Sequence, residues 1–579
     1  AIPAKKEVAE TVAHEMAHQW FGDMVTPEWW DNLWLNEGFA TWMETKAAGK
    51  WHPEWKYDQD VAVDMNETMD EDAERTTRAI RAKAETPAEI NELFDDIAYG
   101  KAGAVIGMVE NYVGEETFRK GVHAYLAAHL YGSATAEDFW RAQTEVSGLP
   151  VDKVMRGFVE QPGVPLITLG AEAGDAVPVR EGRFFLSPRD RAGAKEEGWT
   201  IPVCFKGEKC GLVTPETKTM EVGAGEFVYA NAGDKGYYRT VYGAKELAET
   251  LAHAETGLTP PERIGLLGDR WALMRGGEGT VGEFLDTVLA VKADPNATVI
   301  DSALGKIGTI DRMIATEADR KRLDAVVRRE FEPVYAALGG EKRHEGMDRE
   351  DLRGTLFEAL GEADDPTVLA EAKLATNELF SGVKTKGEPD SGIVDAAVAL
   401  AATKGDTQLY NRLLGVSQSA TDPDLKTELL HMLTRFEAPV LVARTLNFAV
   451  SDEVRSQDSW ALIALLLERR ATQDQAWNFV QEHWVEIAKK STMNSGARIV
   501  EATGSFCTAE KRDEVESFFA RHPVESSQRT LTKAVDSINA CIQLRTAQEP
   551  ALRAWLDAHG PTPETERNFA MSEGTVPVR

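Results

Sequence analysis

The hydrophobic pattern of the chain changes twice, and these two changes constrain the fold more than any other feature. Residues 1–160 contain long stretches without Gly or Pro and an apolar spacing typical of helices. From Leu166 to about Tyr242, short alternating runs are separated by Gly, Pro and Asp, which predicts a small β-sandwich. From Ala244 onward, helical segments of about 10–20 residues alternate with short breaks, which is typical of stacked helix pairs.

We therefore predict a mainly α, multi-domain fold in three parts, covering residues 1–164, 165–243 and 244–579. The first boundary lies at the turn-rich segment Gln161–Pro165. The third part is predicted to be an α-solenoid, although its segments show no clear repeat signature. The strands of the second part are predicted at Arg183–Leu186, Trp199–Phe205, Thr217–Val222, Phe227–Ala230 and Gly236–Val241.

Charge and hydropathy exclude some classes of partner. The 579 residues include 95 Asp and Glu against 64 Lys and Arg, which gives a formal net charge of −31. This acidity argues against nucleic acid or an anionic membrane as a partner. No apolar run approaches the roughly 18 residues that span a bilayer.

Two segments near the start of the chain have an unusual composition. Residues 64–74 contain many acids, which we interpret as a solvated face. Seven of the fourteen Trp lie between Trp20 and Trp55, which favours an aromatic core over a lined cleft.

The four cysteines form two candidate pairs. Cys204 and Cys210 flank a predicted turn, so a hairpin would place them opposite each other. Cys507 and Cys541 flank a predicted helical hairpin that is broken near His522. Each pair could be a disulfide or two buried free thiols. The pairing slightly favours a periplasmic or secreted protein over a cytoplasmic one.

The segment His14-Glu15-Met16-Ala17-His18 is the strongest chemical motif. Residues four apart lie on one face of a helix, so His14 and His18 can bind one Zn²⁺ together. Glu15 can reach a metal-bound water as general base. Three fixed residues in five arise by chance in roughly one or two per cent of chains this long. The alternative is therefore a helix with two unrelated histidines.

Glu37 supplies a third ligand at the start of the next predicted helix. Eighteen residues separate it from His18, enough for a loop that returns the second helix beside the first. Two His and one Glu leave a fourth position open, which is typical of a catalytic rather than a structural zinc site. The sequence therefore predicts a hydrolase with one zinc ion.

The motif and its surroundings resemble the aminopeptidase N-like family of gluzincin zinc metallopeptidases. The resemblance is carried by five segments and fades across the helical remainder: His14–Asp23, Trp30–Ala40, Phe94–Lys101, Gln161–Pro165 and Asn231–Arg239. It implies the helical half of a thermolysin-like catalytic domain, a peptide substrate, and hydrolysis of N-terminal residues.

The resemblance also implies a role for individual residues. His14, His18 and Glu37 are the expected zinc ligands and Glu15 is the expected general base. Tyr99 is the expected donor to the oxyanion of the tetrahedral intermediate. The family usually has Tyr, any residue, Lys and Gly at this point, whereas Lys101 is followed here by Ala102 and then Gly103. We expect only a small local adjustment from this difference.

The family's amine-binding carboxylates lie upstream of the zinc helix, and thirteen residues before His14 cannot contain them. We therefore expect a C-terminal fragment whose companion is the N-terminal portion of the same protein. Alone, the fragment would be inactive or nearly so. Two other functions stay open: an endopeptidase or epoxide-hydrolysing relative, and a non-catalytic helical binding scaffold.

Overall fold

A computed structural model describes residues 2–560 apart from 173, 190, 192–197, 208–209, 223–226, 341–345, 382–391, 491–494 and 525–527. The chain is mostly helical with small sheets, as predicted. It forms two compact units, Ala1–Val291 and Lys292–Arg579. Within the described part, no helix is both long and apolar enough to cross a bilayer.

In the first unit, helices both precede and follow the main run of strands along the sequence. Thr135, Thr259 and Thr280 each begin a helix with a capping box, in which side chain and backbone exchange hydrogen bonds. A π-helical turn at Ile97–Lys101 directly precedes the helix that begins at Ala102. The helices are α1 Ile2–Ala17, α2 Trp34–Trp51, α3 Tyr57–Asp72, α4 Pro87–Asn91, α5 Ala102–Val113, α6 Glu115–His129, α7 Ala136–Ser147, α8 Val151–Glu160, α9 Ala244–Ala252, α10 Ala254–Gly257, α11 Pro260–Arg275 and α12 Val281–Ala290.

The strands of this unit form three small sheets. The largest is a mixed sheet of four strands in the order β7-β4-β3-β8, in which β3 pairs with β8 in parallel and its other pairings are antiparallel. β5 and β6 form an antiparallel pair, and β1 and β2 form a short parallel pair that the sequence did not predict. The strands are β1 Val25–Pro27, β2 Gly132–Ala134, β3 Val164–Leu169, β4 Ala176–Phe184, β5 Ile201–Val203, β6 Gly211–Val213, β7 Thr219–Glu221 and β8 Arg239–Val241.

The prediction of a strand at Phe227–Ala230 is wrong. Its backbone makes separate bonds in place of a ladder: the Ala230 N–H donates to the Tyr242 hydroxyl (3.1 Å), the Tyr238 hydroxyl donates to the Ala230 carbonyl (2.6 Å), and the Tyr229 carbonyl accepts from the Lys206 N–H (2.9 Å). Because side-chain hydroxyls and one backbone amide satisfy these groups, the segment needs no ladder.

The prediction of a solvated face at residues 64–74 holds for four of the six acids, which are exposed, and is wrong for Asp70 and Asp72. Asp72 is fully buried and Asp70 forms ion pairs with Arg239 (2.7 Å) and Arg275 (2.9 Å). Asn66, also buried, bonds the same Arg239 guanidinium through its side-chain and backbone oxygens. Asp70 and Asn66 therefore tie α3 to β8 and α11. The sequence of the acidic segment alone could not reveal arginine partners that lie far away along the chain.

The aromatic-rich start of the chain is less buried than predicted. Trp34 is fully buried, but Trp20, Trp29, Trp30 and Trp51 are all more than 40% exposed. Three further apolar side chains of α1 are exposed by more than half: Val8, Val12 and Met16. The interpretation as an aromatic core therefore holds for only part of this cluster.

The second unit is built from helices alone within its described residues. Its core is large and includes Trp477, which packs edge-to-face on Phe506 and Phe518. The arrangement of these helices as a solenoid stays a prediction. The helices are α13 Ala297–Met313, α14 Glu317–Leu338, α15 Met347–Glu362, α16 Pro366–Ser381, α17 Val394–Thr403, α18 Thr407–Ser419, α19 Pro423–Met432, α20 Pro439–Val450, α21 Ser456–Glu468, α22 Gln473–Lys490, α23 Ser495–Ala502, α24 Ala509–Arg521 and α25 Gln528–His559.

Both candidate cysteine pairs are disulfides. Cys204 and Cys210 join β5 to the residue before β6. Cys507 and Cys541 join the residues before α24 to α25, the two helices of the predicted hairpin. The structure thus decides between disulfides and free thiols, which the sequence alone had left open. Residues 208 and 209 of the predicted turn lie outside the described part.

Candidate metal centre and active site

The two histidines of the motif share one face at the end of α1. The helix has no Gly or Pro after Pro3, and its hydrogen bonding continues one residue past Ala17, since the His18 N–H donates to the His14 carbonyl at 3.2 Å. The two imidazole rings meet edge-to-face, with centroids 4.6 Å apart. The spacing of four residues therefore brings both rings to one place, as predicted.

Glu37 reaches the same place from the first turn of α2. It is 6% exposed, and its Oε2 lies 3.3 Å from His14 Nε2 and 3.5 Å from His18 Nε2. The three candidate ligand atoms all lie within 4.8 Å of one another. Nitrogen and oxygen atoms at this mutual distance can surround a single metal ion of ordinary bond length, about 2.0–2.2 Å for zinc.

The outer nitrogen of each imidazole is held by an acceptor. His14 Nδ1 lies 2.6 Å from Glu44 Oε2, and His18 Nδ1 lies 3.2 Å from the Phe21 carbonyl oxygen. When Nδ1 donates its proton outward, the lone pair of Nε2 points to the space that Glu37 faces. The donor set and its hydrogen bonds therefore fit a metal ion.

Sequence reasoning missed Glu44. It lies seven residues after Glu37, which is two turns further along α2 and on the same face. A search for acids at this spacing from a candidate ligand would have found it. Asn36 was also missed as a contact: its side-chain amide donates to Glu37 Oε1 at 3.2 Å.

Gly22 is required by the loop between the two helices. Its φ is +127°, a conformation that side chains disfavour, and a Cβ there would lie 2.1 Å from the side-chain oxygen of Asn36. Glycine at this position therefore lets the loop pass close to the residue that bonds Glu37.

The charged state of these groups follows from their contacts. Hydrogen bonds to Glu37 and then Glu44 raise the pKa of His14 to about 9 in the metal-free chain. Burial acts to raise the pKa of Glu37, but the hydrogen bond from His14 and the charges of both imidazoles outweigh it, so this pKa lies below its usual value. Glu37 is thus ionised at neutral pH and available as a ligand.

Tyr99 lies beside this cluster on the π-helical turn. Its ring stacks on His14 with centroids 6.1 Å apart, and its hydroxyl bonds the Glu37 carboxylate. Burial raises the Tyr99 pKa well above its usual value, and the charges of Glu37 and Glu15 add to the effect. The phenol therefore keeps its proton and can donate a hydrogen bond. Glu15 itself is exposed, close enough to the phenol for its charge to act on it.

A buried ion pair anchors the turn that carries Tyr99. Lys101 and Asp72 are both fully buried, with Nζ and Oδ2 2.8 Å apart. Lys101 also donates to the Gly163 carbonyl at 3.2 Å, and Asp72 accepts from the Tyr237 hydroxyl at 3.1 Å. The turn is thereby fixed to α3 and to the sheet. Single-turn π segments are frequent at functional sites.

The site defines a class: metallopeptidases with two histidines on one helix and a carboxylate from elsewhere. Residues 1–158 match the family model described as the peptidase family M1 domain, and residues 227–540 match the ERAP1-like C-terminal domain. Aminopeptidase 2 of Candida albicans is 28% identical over 577 residues, covering 96% of this chain and 62% of that protein.

Two further relatives are also named as aminopeptidases. Aminopeptidase M1 of Arabidopsis thaliana is 31% identical over 577 residues, covering 93% of this chain and 64% of that protein. Aminopeptidase A of Gloydius brevicauda is 27% identical over 589 residues, covering 96% of this chain and 60% of that protein. The chain therefore belongs to the M1 family of aminopeptidase N-like metallopeptidases. It spans 60–64% of the length of these three relatives.

Proposed function

We propose that this chain carries the catalytic metal site of a zinc-dependent aminopeptidase. The observation that carries the proposal is the convergence of His14, His18 and Glu37, whose nearest ligand atoms are 3.3 Å and 3.5 Å apart. Two imidazoles and one carboxylate are the usual ligands of catalytic zinc. When bound, zinc would polarise the scissile carbonyl and acidify the attacking water.

The remaining steps belong to side chains of the chain. The Glu15 carboxylate takes the proton of the attacking water and delivers it to the nitrogen of the leaving amine. The Tyr99 hydroxyl donates a hydrogen bond to the oxyanion that develops on the scissile carbonyl. Support for the second role comes from the raised pKa of Tyr99, which keeps the donor protonated.

The proposed substrate is a peptide with a free N-terminal amine. This specificity rests on the family and on the three relatives described above, all of which are named as aminopeptidases. We propose that N-acetylated peptides are not cleaved, whereas an endopeptidase would cleave them. A companion N-terminal portion of the same protein stays a prediction, as does the three-part division at residues 164 and 243.

We also propose an oxidising compartment, the periplasm or the cell exterior. The support is that all four cysteines are paired as disulfides. Disulfides persist in such compartments and are rare where thiols are kept reduced.

The substitution Glu15→Gln in the intact enzyme tests the proposed function. It should keep the bound zinc, measured by elemental analysis, and lower turnover of a peptide with a free amine by at least about 10²-fold. Glu7→Gln on an exposed part of the same helix is the matched control and should leave turnover unchanged. Normal turnover in Glu15→Gln would contradict the assignment of the general base.

A further inference from the structure

A small cavity in the second unit is lined by three arginines. Its volume is about 160 Å³, and Arg312, Arg470 and Arg545 contribute to its wall together with Glu468 and Thr508. A water molecule occupies about 30 Å³, so the cavity holds several waters or one small ion with its hydration. Every residue of the wall lies between 312 and 545, within the second unit.

Two of these arginines are fixed by backbone carbonyls at the end of α13. Arg545 Nε donates to the Met313 carbonyl at 2.8 Å, and Arg470 Nη1 donates to the Ala315 carbonyl at 3.2 Å. These bonds stabilise the end of the helix and hold both guanidinium groups in place. They leave further N–H groups of Arg470 without a bond to any residue that the structure describes, since only its Nη1 makes one.

The side chain of Arg312, unlike those of Arg470 and Arg545, does not bond the carbonyls at the end of α13. Its side chain is exposed and makes no hydrogen bond or ion pair with the described residues. Its charge acts to lower the pKa of Glu468, the one carboxylate of the wall. A free guanidinium beside two fixed ones is the arrangement that bidentate recognition of an oxyanion needs.

The charges of the wall are not balanced. Three arginines and a single glutamate line the cavity, so its wall carries an excess of two positive charges in a chain whose formal net charge is −31. Burial lowers the pKa of Arg470 and of Arg545; the charge of Arg320 lowers both further and that of Arg470 lowers the second, while nearby carboxylates act in the opposite direction. The nearby Asp311 carboxylate bonds another arginine, Arg320, at 2.8 Å. A bound anion would relieve this mutual repulsion.

The first turn of α24 adds to the positive potential. Thr508 is the N-cap of this 13-residue helix and lines the cavity. Its hydroxyl accepts from the Lys511 N–H, which leaves the amides before Lys511 without an intrahelical acceptor. The positive end of the helix dipole therefore lies at the wall that the arginines complete.

We propose that this cavity, which we call the triarginine pocket (Arg312, Arg470 and Arg545), binds a small dianionic oxyanion of the phosphate class. An anion there would bridge α13, the segment before α22, α24 and α25. It would thereby stabilise the second unit. This inference does not depend on the proposed peptidase function.

Binding of inorganic phosphate to the purified chain tests the triarginine pocket. Isothermal titration at constant ionic strength, with chloride as the balancing anion and a chelator to remove metal, should show one saturable site per chain. Arg312→Gln should weaken binding at least about tenfold, because a hydrogen bond to a charged group is lost. Arg521→Gln, an exposed arginine on α24, is the control and should bind as the parent does.

Three results would overturn the proposal. These are the absence of saturable phosphate binding, equal affinity in Arg312→Gln and the parent, and tighter binding of acetate than of phosphate. The thermal midpoint of each variant is measured first without phosphate, so that each shift is compared with its own baseline. Phosphate should raise that midpoint in the parent and in Arg521→Gln by more than in Arg312→Gln.

Discussion

At the scale of single residues, the contact of His14 with Glu44 distinguishes a metal site from two adjacent histidines. Its length of 2.6 Å indicates a charge-assisted bond, and it fixes which ring nitrogen faces Glu37. The His18 bond to the Phe21 carbonyl does the same for the second ring. The outer contacts therefore orient the ligands before any metal is bound.

Replacing Glu44 tests this orientation. Glu44→Gln should weaken zinc affinity by about 10–100-fold, because the ring of His14 loses its charged acceptor. Zinc affinity can be measured by competition with a chelating dye, with Glu7→Gln as the control. Unchanged affinity in Glu44→Gln would show that the contact does not contribute to metal binding.

Residues with a fixed spacing could be predicted from the sequence, whereas residues that depend on folding in three dimensions could not. His14, His18 and Glu37 follow from helix periodicity and a loop of sufficient length. Asn36 and Gly22 matter only because the loop brings them within contact, which no spacing rule reveals.

At the scale of elements, the turn that carries Tyr99 depends on the buried pair of Lys101 and Asp72. Removing one partner of a buried ion pair leaves the other charge unpaired and costs about 3–5 kcal/mol. Lys101→Met should therefore lower the free energy of unfolding of the first unit by about this amount.

Urea unfolding measures the effect of Lys101→Met. The control is Lys83→Met, whose side chain is 70% exposed and should change stability by less than about 0.5 kcal/mol. Adding Asp72→Asn to Lys101→Met should recover part of the loss, because the unpaired charge is removed. Equal stability of Lys101→Met and Lys83→Met would contradict a buried, charged pair of Lys101 and Asp72.

An acidic cluster between α1, α2 and α3 predicts a dependence of stability on pH. Burial raises the pKa of Glu10 to about 7, and the charges of Asp60 and Glu44 add to the effect. Burial and the charge of Asp60 raise the pKa of Asp64 to about 6. The folded chain therefore holds protons that the unfolded chain has released between about pH 4.5 and 7.

Because the folded state binds more protons in this range, these groups make stability fall as pH rises towards 7. Glu10→Gln removes the titration and should make the fall shallower. Thermal unfolding of the metal-free chain from pH 5 to 7.5, with Glu7→Gln as the control, measures the difference. An identical slope in Glu10→Gln and the parent would contradict the raised pKa.

Helices were predicted better than strands. Local periodicity decides a helix, so the helical start and the helical second unit agree with the sequence pattern. A strand needs a partner strand, whereas the Phe227–Ala230 segment bonds side-chain hydroxyls and one backbone amide. The short strands β1 and β2 pair across more than a hundred residues, which local patterning cannot indicate.

At the scale of the whole molecule, the chain joins a unit with a metal-site geometry to a helical unit with a separate basic pocket. The family match covers both: one matched range is in the first unit and the other extends to residue 540. The triarginine pocket and the metal centre lie in different units, so each can be removed by substitution without touching the residues of the other.

The zinc content of the purified chain tests the central claim most directly. Elemental analysis after dialysis against trace zinc should give one zinc per chain. The count should fall towards zero in His18→Ala and stay at one in His123→Ala, a histidine of α6 outside the site. Absence of zinc from the parent chain, or full zinc content in His18→Ala, would contradict the assignment of His14, His18 and Glu37 as the metal ligands.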